Sequence, residues 1–229
     1  MTGRDTTRRQ FLKTAGITAG AGAIGTWVPA VVRAAEPIRI GHLTPRTGFL
    51  GALGEYGVMG VRLAVEEANE KGGILGRKVE FITEDSANPG LAVTKATKLV
   101  EKDKVHALLG EISSASGLAI SEIAQRSKTI YLNTGFNTDE ARGKRCQRYM
   151  FHVEGCNTMY TKTLGRWLVR EKKITRWYFL TADYAFGHDL YRVSTRFLAE
   201  HGGTNLGNDM VPTNTKDYSP YINPLIDRH

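Results

Sequence analysis

From Glu36 onward, short runs of β-branched and aromatic residues alternate with stretches whose apolar positions recur every three or four residues. Residues 38–43 read as a strand. Residues 54–71 predict a helix, because Val58, Val61, Val65 and Ala68 share a face while Arg62, Glu66 and Glu70 stand opposite at i,i+4 spacing. Gly72 and Gly73 stop it. Residues 78–82 read as a second strand. Asn88-Pro89 opens a helix through about residue 102, with proline at a first-turn position. A strand at 105–109, a helix at 116–126 and a strand at 129–132 follow. Beyond a basic turn at 142–146, residues 149–153 are extended. Residues 158–171 predict a helix with Leu164, Trp167 and Leu168 facing inward. A strand at 177–180, a helix at 187–201 and a short strand at 208–211 come next. Asp217 is placed to cap a helix beginning at Tyr218, and the pattern is still in progress at His229.

Strands alternating with helices predict an α/β fold with a parallel sheet covered on both faces. Ligands of such sheets bind outside the carboxyl ends of the strands. That puts the loops 44–53, 83–89, 110–115 and 133–139 on the working edge. The pattern divides into residues 36–152, a full Rossmann-like unit, and 153–229, with about three strands and thus too few to close a second unit comfortably.

Residues 1–35 follow a different logic. Arg8-Arg9-Gln10-Phe11-Leu12-Lys13 pairs two arginines with an apolar pair and a lysine, and no charge occurs from Thr14 to Val32. A basic start, a bland apolar middle and small residues at the end read as an export signal, and the arginine pair resembles the twin-arginine type. Cleavage after Ala34 or Ala35 is the expectation. The rival reading is a membrane anchor, but Gly16, Gly20, Gly22 and Gly25 make the run weakly apolar. Gly20-Ala21-Gly22-Ala23-Ile24-Gly25 matches a dinucleotide fingerprint, yet it lacks the preceding strand that motif requires.

The leader changes the charge arithmetic. The chain of 229 residues has 31 Lys+Arg and 23 Asp+Glu, a net of +8. Without the leader's Arg4, Arg8, Arg9, Lys13, Arg33 and Asp5, 26 basic and 22 acidic residues remain, a net of +4. The remainder forms no long basic run, so a nucleic-acid partner is not expected. Cys146 and Cys156 are a candidate disulfide in an oxidising compartment, but a protein folded before export should not depend on it. Their spacing to His152 fits no standard zinc pattern, and neither a nucleophile elbow nor a P-loop is present. No metal or cofactor is expected. Gly51, Gly54 and Gly57 follow a strand and open a helix, but their spacing is wrong for a phosphate loop.

Three loop segments carry candidate chemistry. Ser113 and Ser114 precede a helix whose unpaired N–H groups and partial positive charge favour a carboxylate; simple N-capping is the alternative. Thr134, Gly135 and Asn137 leave the fourth strand in a segment that also has turn chemistry. Tyr184 and Phe186 precede a helix where aromatics would cover an apolar or planar ligand, or serve as packing.

These segments and the run Gly60-Val61-Arg62-Leu63-Ala64-Val65-Glu66-Glu67-Ala68-Asn69 through Gly76 resemble type I periplasmic binding proteins of the branched-chain amino acid (Leu/Ile/Val) class. The resemblance extends from about Pro37 to the last residue. It implies two Rossmann-like lobes closing on a small solute, such as an amino acid or related carboxylate or amide. It also implies delivery to an inner-membrane ABC permease from the periplasm, and binding without catalysis. It places the solute's carboxylate at Ser113 and Ser114, and an ammonium group at Thr134, Gly135 and Asn137. Asn137 departs from the family's usual threonine, and Phe186 falls where a tyrosine is common. Leu53 falls at a position often aromatic and is expected to form a cleft wall at most. Such proteins run well over 300 residues, so lobe two is expected to be incomplete here. An exported redox enzyme and a receptor's ligand-sensing domain are the alternatives.

Overall fold

The computed structural model describes residues 36–226; the expected leader, its cleavage site and the Gly20–Gly25 motif lie outside the described residues. Within them, β1 (Ile38–Thr44), α1 (Gly51–Glu70), β2 (Val79–Asp85), α2 (Pro89–Glu101), β3 (Ala107–Gly110), α3 (Ser114–Ser127), β4 (Ile130–Asn133) and β5 (Met150–His152) succeed one another. The five strands form one parallel sheet in the order β2-β1-β3-β4-β5. The chain steps one way after β1 and the other way after β2. Right-handed crossovers therefore put α1 on one face, with α2 and α3 side by side on the other. The order reverses between β1 and β3, the kind of switch point outside which ligands of such sheets bind.

Among the boundaries that differ from the sequence reading, two have a clear physical reason. α1 starts one turn early, at Gly51. Its first turn lies so close to the preceding loop that a Cβ on Gly54 would stand 1.6 Å from the Pro45 carbonyl oxygen, which only glycine permits. β2 runs three residues past the apolar stretch. Thr83, Glu84 and Asp85 pair with His42, Leu43 and Thr44, and Glu84 is held by Lys95 at 2.7 Å and Lys98 at 2.6 Å. Backbone pairing thus carries polar residues that period alone would assign to a loop.

The core lies between the sheet and the α2–α3 layer: Leu43, Leu99, Leu108, Leu118, Ile120, Tyr131 and Phe136 are fully buried or nearly so. A buried leucine or phenylalanine contributes roughly 1.5–3 kcal/mol, so this cluster dominates the packing energy of the first sheet. His42 is buried in β1 beside Thr83; burial, with the Arg46 cation second, pushes its pKa down to about 4.

After a short 3₁₀ turn, Asp139–Arg142, and β5, the second part contains α4 (Asn157–Arg166), a wider helical turn at Trp167–Glu171, β6 (Arg176–Ala182), α5 (Ala185–Glu200), β7 (Thr204–Val211) and α6 (Ser219–Ile226). β6 and β7 form a two-stranded parallel sheet. The inward face expected for its first helix is corrected here. Leu164 and Trp167 are largely exposed, at 59% and 48%, while Asn157, Thr161, Gly165 and Val169 are buried. The partner helix α5 explains the choice. A Cβ at Gly165 would lie 2.5 Å from the Phe197 ring, and Thr161 meets Ser194 at 3.1 Å. Small residues at i,i+4 spacing let the helices approach, and the larger apolar residues are turned outward. Asp217 accepts the Ser219 amide at 2.9 Å, at the start of α6.

The two parts are joined by polar contacts. Buried Asp189 of α5 accepts the Asp139 amide at 2.7 Å and the Asn157 side chain at 2.9 Å, and Arg192 lies 2.6 Å from its other oxygen. The Asn157 amide donates to the Asn137 carbonyl at 2.9 Å.

Candidate functional site

Each loop at the carboxyl edge of the first sheet is fixed by side chains of its neighbours. Asp85, at the end of β2, accepts the Arg46 amide at 2.9 Å and the Thr47 hydroxyl at 2.8 Å. Burial raises its pKa, but these donors outweigh burial and hold the carboxyl below its usual range. The β1–α1 loop is thereby tied to β2, and it presents Phe49 outward. Phe49 meets Tyr184 edge-on at 5.4 Å, and Tyr184 stands 5.9 Å from Phe186. Phe49 is thus an aromatic contact from the first part to the second. The three rings border a hollow of about 250 Å³ that also takes in Val211, Thr213 and Tyr218.

Ser113 and Ser114 take different roles. Ser113 is the N-cap of α3, its hydroxyl accepting the Ser116 amide at 3.5 Å, so the capping alternative describes its side chain. Ser114 opens the helix itself. Its hydroxyl is fully buried and has no hydrogen-bond partner among the described residues. A buried hydroxyl without a partner costs roughly 1–3 kcal/mol. Ser114 sits at a helix start, where the first N–H groups have no intrahelical carbonyl to bond.

The other sequence candidates are dispersed. The Asn133 side chain accepts the amides of Gly135 and Phe136, both at 3.0 Å, and donates to the Phe136 carbonyl, so this segment is a closed turn with Thr134 exposed. Asn137 donates through its amide to the Gly155 carbonyl at 3.0 Å and the Tyr160 hydroxyl at 3.3 Å. Its side chain thus bridges to the segment after β5. Tyr184 holds the N-cap position of α5, and Phe186 is in that helix's first turn. Leu53 lies on α1, 53% exposed, and does not border the hollow. Cys146 and Cys156 are both free, which corrects their candidacy as a disulfide: Cys146 is exposed, while Cys156 is buried. Burial, then a hydrogen bond to the Asp139 carboxylate, push the Cys156 thiol up.

Sequence reasoning passed over two residues. Phe49, between Gly48 and Gly51, is an aromatic in a glycine-flanked loop after a strand, and that setting is the available signal. Glu111 is an acid directly after an apolar strand, inside the run that ends in Ser113. It is 1% exposed with φ of 76°, a left-handed conformation that costs energy for a non-glycine residue. Its carboxylate accepts the Ser113 amide at 2.7 Å, the Ile112 amide at 2.9 Å and the Ser86 hydroxyl.

A larger hollow of about 440 Å³ lies where the 3₁₀ turn meets α5. Its cations are already paired: Arg192 with Asp189, Lys144 with Glu140 and Arg196 with Glu200. No group of three or more His, Cys, Asp or Glu residues among those described is placed to hold a metal ion.

A family model described as periplasmic binding protein matches residues 37–228. A Leu/Ile/Val-binding protein homolog from Brucella abortus is 26% identical over 196 residues, covering 82% of this chain and 49% of the relative. A periplasmic binding protein from Burkholderia mallei superposes with a TM-score of 0.77 at 26% identity, covering 83% of this chain and 51% of that one. An ABC transporter solute-binding protein from Rhodopseudomonas palustris, in complex with 3,4-dihydroxybenzoic acid, gives a TM-score of 0.76 at 22% identity. The chain spans about half the length of the relatives it matches.

Proposed function

Because this chain belongs to the periplasmic binding protein family, we propose that it captures a small carboxylate solute in the periplasm for an inner-membrane ABC permease. In this reading residues 1–35 are a twin-arginine leader, residues 36–152 form one lobe and residues 153–229 open the second. The solute's carboxylate docks at the start of α3, against Ser114 and the N–H groups of the helix end. An ammonium group, where the solute carries one, would be met from the Thr134, Gly135 and Asn137 segment. Phe49, Tyr184 and Phe186 cover the solute's body. The observation that carries this reading is the buried, unpartnered hydroxyl of Ser114. Contacts to both parts would favour a closed arrangement, with the polar joint around Asp189 taking up the movement. The protein acts by binding and release, without chemistry on the solute.

Isothermal calorimetry of the full chain tests the proposal, with leucine and 3,4-dihydroxybenzoate as probes of contrasting body. Saturable binding of at least one, tighter than about 1 mM (roughly −4 kcal/mol), is expected. Heats of dilution alone for both would count against it.

A further inference from the structure

We infer that Glu111 is a positioning residue of this site: its carboxylate fixes the Ile112–Ser113 backbone and so sets how the start of α3 meets a solute carboxylate. The inference rests on the solute-receptor reading. Its geometric basis is independent of any solute. Glu111 is buried at the carboxyl end of β3 with a left-handed backbone, and its side chain turns back to accept the two amides that follow it. Oε1 thereby closes a ring over the residues leading into the helix. Oε2 holds the Ser86 hydroxyl from the β2–α2 loop. Ser86 in turn gives its carbonyl to the Ser116 hydroxyl at 3.3 Å, within the first turn of α3. A single carboxyl thus braces both sides of the Ser114 position.

A negative charge there competes with the solute for the positive end of the helix. Burial is the main influence on Glu111 and pushes its pKa up to about 7, against the donors Ser86, Ser113 and Ile112, with the Asp85 charge adding to the rise. The surrounding titratable groups do not share that range. His42 of β1, beside Gly110, is pushed down to about 4 and stays neutral. Tyr131 of β4 is pushed up by burial. Asp85 stays ionised, and α3 brings no acidic residue in its first turn. A proton on Oε2 leaves the Oε1 contacts with the two amides in place, with Ser86 as its acceptor. The neutral acid therefore keeps the brace and removes the competing charge. Binding of a carboxylate solute then draws a proton onto Glu111, and affinity falls as pH rises through about 7.

Two measurements on the full chain test this. In solute-free protein, the amide NMR signals of Ile112 and Ser113 should titrate near pH 7 and stop doing so in Glu111→Gln. In calorimetry with leucine and 3,4-dihydroxybenzoate, affinity of the wild type should drop about fivefold between pH 6 and pH 8, the part of a one-unit coupling that falls within that interval. Glu111→Gln, which mimics the neutral acid, should hold the pH 6 affinity at both values. Glu111→Gly relieves the left-handed backbone but removes the brace, so it should bind more weakly at both. Amides that do not titrate, equal pH profiles for wild type and Glu111→Gln, or full affinity in Glu111→Gly would each overturn the inference while leaving the receptor reading intact. No binding of either probe at either pH would overturn the receptor reading and this inference together.

Discussion

Ser114→Ala is expected to weaken solute binding by about 10- to 100-fold while leaving the solute-free protein as stable as the wild type, or more stable by about 1 kcal/mol. The two effects have opposite signs for one reason. The hydroxyl of Ser114 is buried without a partner among the described residues, so in the solute-free protein its burial costs desolvation with no hydrogen bond to offset it. A solute carboxylate would complete it with a charged hydrogen bond, worth roughly 1.5–3 kcal/mol. Ser113→Ala should behave differently. Ser113 caps α3, so its removal should lower stability by about 1 kcal/mol with a smaller effect on affinity. Calorimetry and thermal unfolding of the two variants side by side separate the roles. Loss of stability in Ser114→Ala, or affinity equal to wild type, would show that the hydroxyl does not serve a solute.

The second large effect is structural. Gly54→Ala should destabilise the protein by more than the roughly 1–3 kcal/mol of ordinary overpacking, because the added methyl would meet the Pro45 carbonyl oxygen at 1.6 Å. Backbone cannot yield as a side-chain tip does, so either the start of α1 unwinds or the β1–α1 loop is displaced. That loop carries Phe49, so solute affinity should fall as well. The same substitution six residues on should have the opposite sign. Gly60 has nothing within 4 Å of its added methyl, and Gly60→Ala should stabilise by about 0.5–1 kcal/mol through helix propensity and a less flexible unfolded chain. Urea unfolding of both variants checks the pair. Equal midpoints would mean that α1 does not approach the loop as closely as described.

Several features of this architecture were legible in residue order. Valines at 58, 61 and 65 define the inner side of α1, with Val58 buried. Asn88 before Pro89 marks the start of α2, where the Asn88 side chain accepts the Leu91 amide at 2.9 Å. Local signals work there because the stabilising partner lies within one turn. They fail where the partner is distant in sequence. The inner face of α4 depends on Phe197 and Ser194 of α5, so apolar spacing pointed to Leu164 and Trp167 and missed Gly165 and Thr161. The length of β2 depends on a ladder with β1, which polar Thr83, Glu84 and Asp85 join. Glu111 escaped notice because an acid beside a serine loop reads as solvated, and only the fold places its carboxylate on Ser86. Phe49 is the same kind of case: its partner, Tyr184, is 135 positions away in the chain and comes from the other sheet's neighbourhood.

In the proposed complex a solute carboxylate sits at the start of α3 while its body lies under aromatic rings from both parts of the chain. Amide NMR of the full chain, titrated with whichever of leucine or 3,4-dihydroxybenzoate binds, tests this most directly. Signals of Ser113, Ser114 and Ala115 should shift together with those of Phe49, Tyr184 and Phe186, along one saturation curve. Shifts that spare the serine segment, or that appear in only one of the two parts, would contradict the proposed complex.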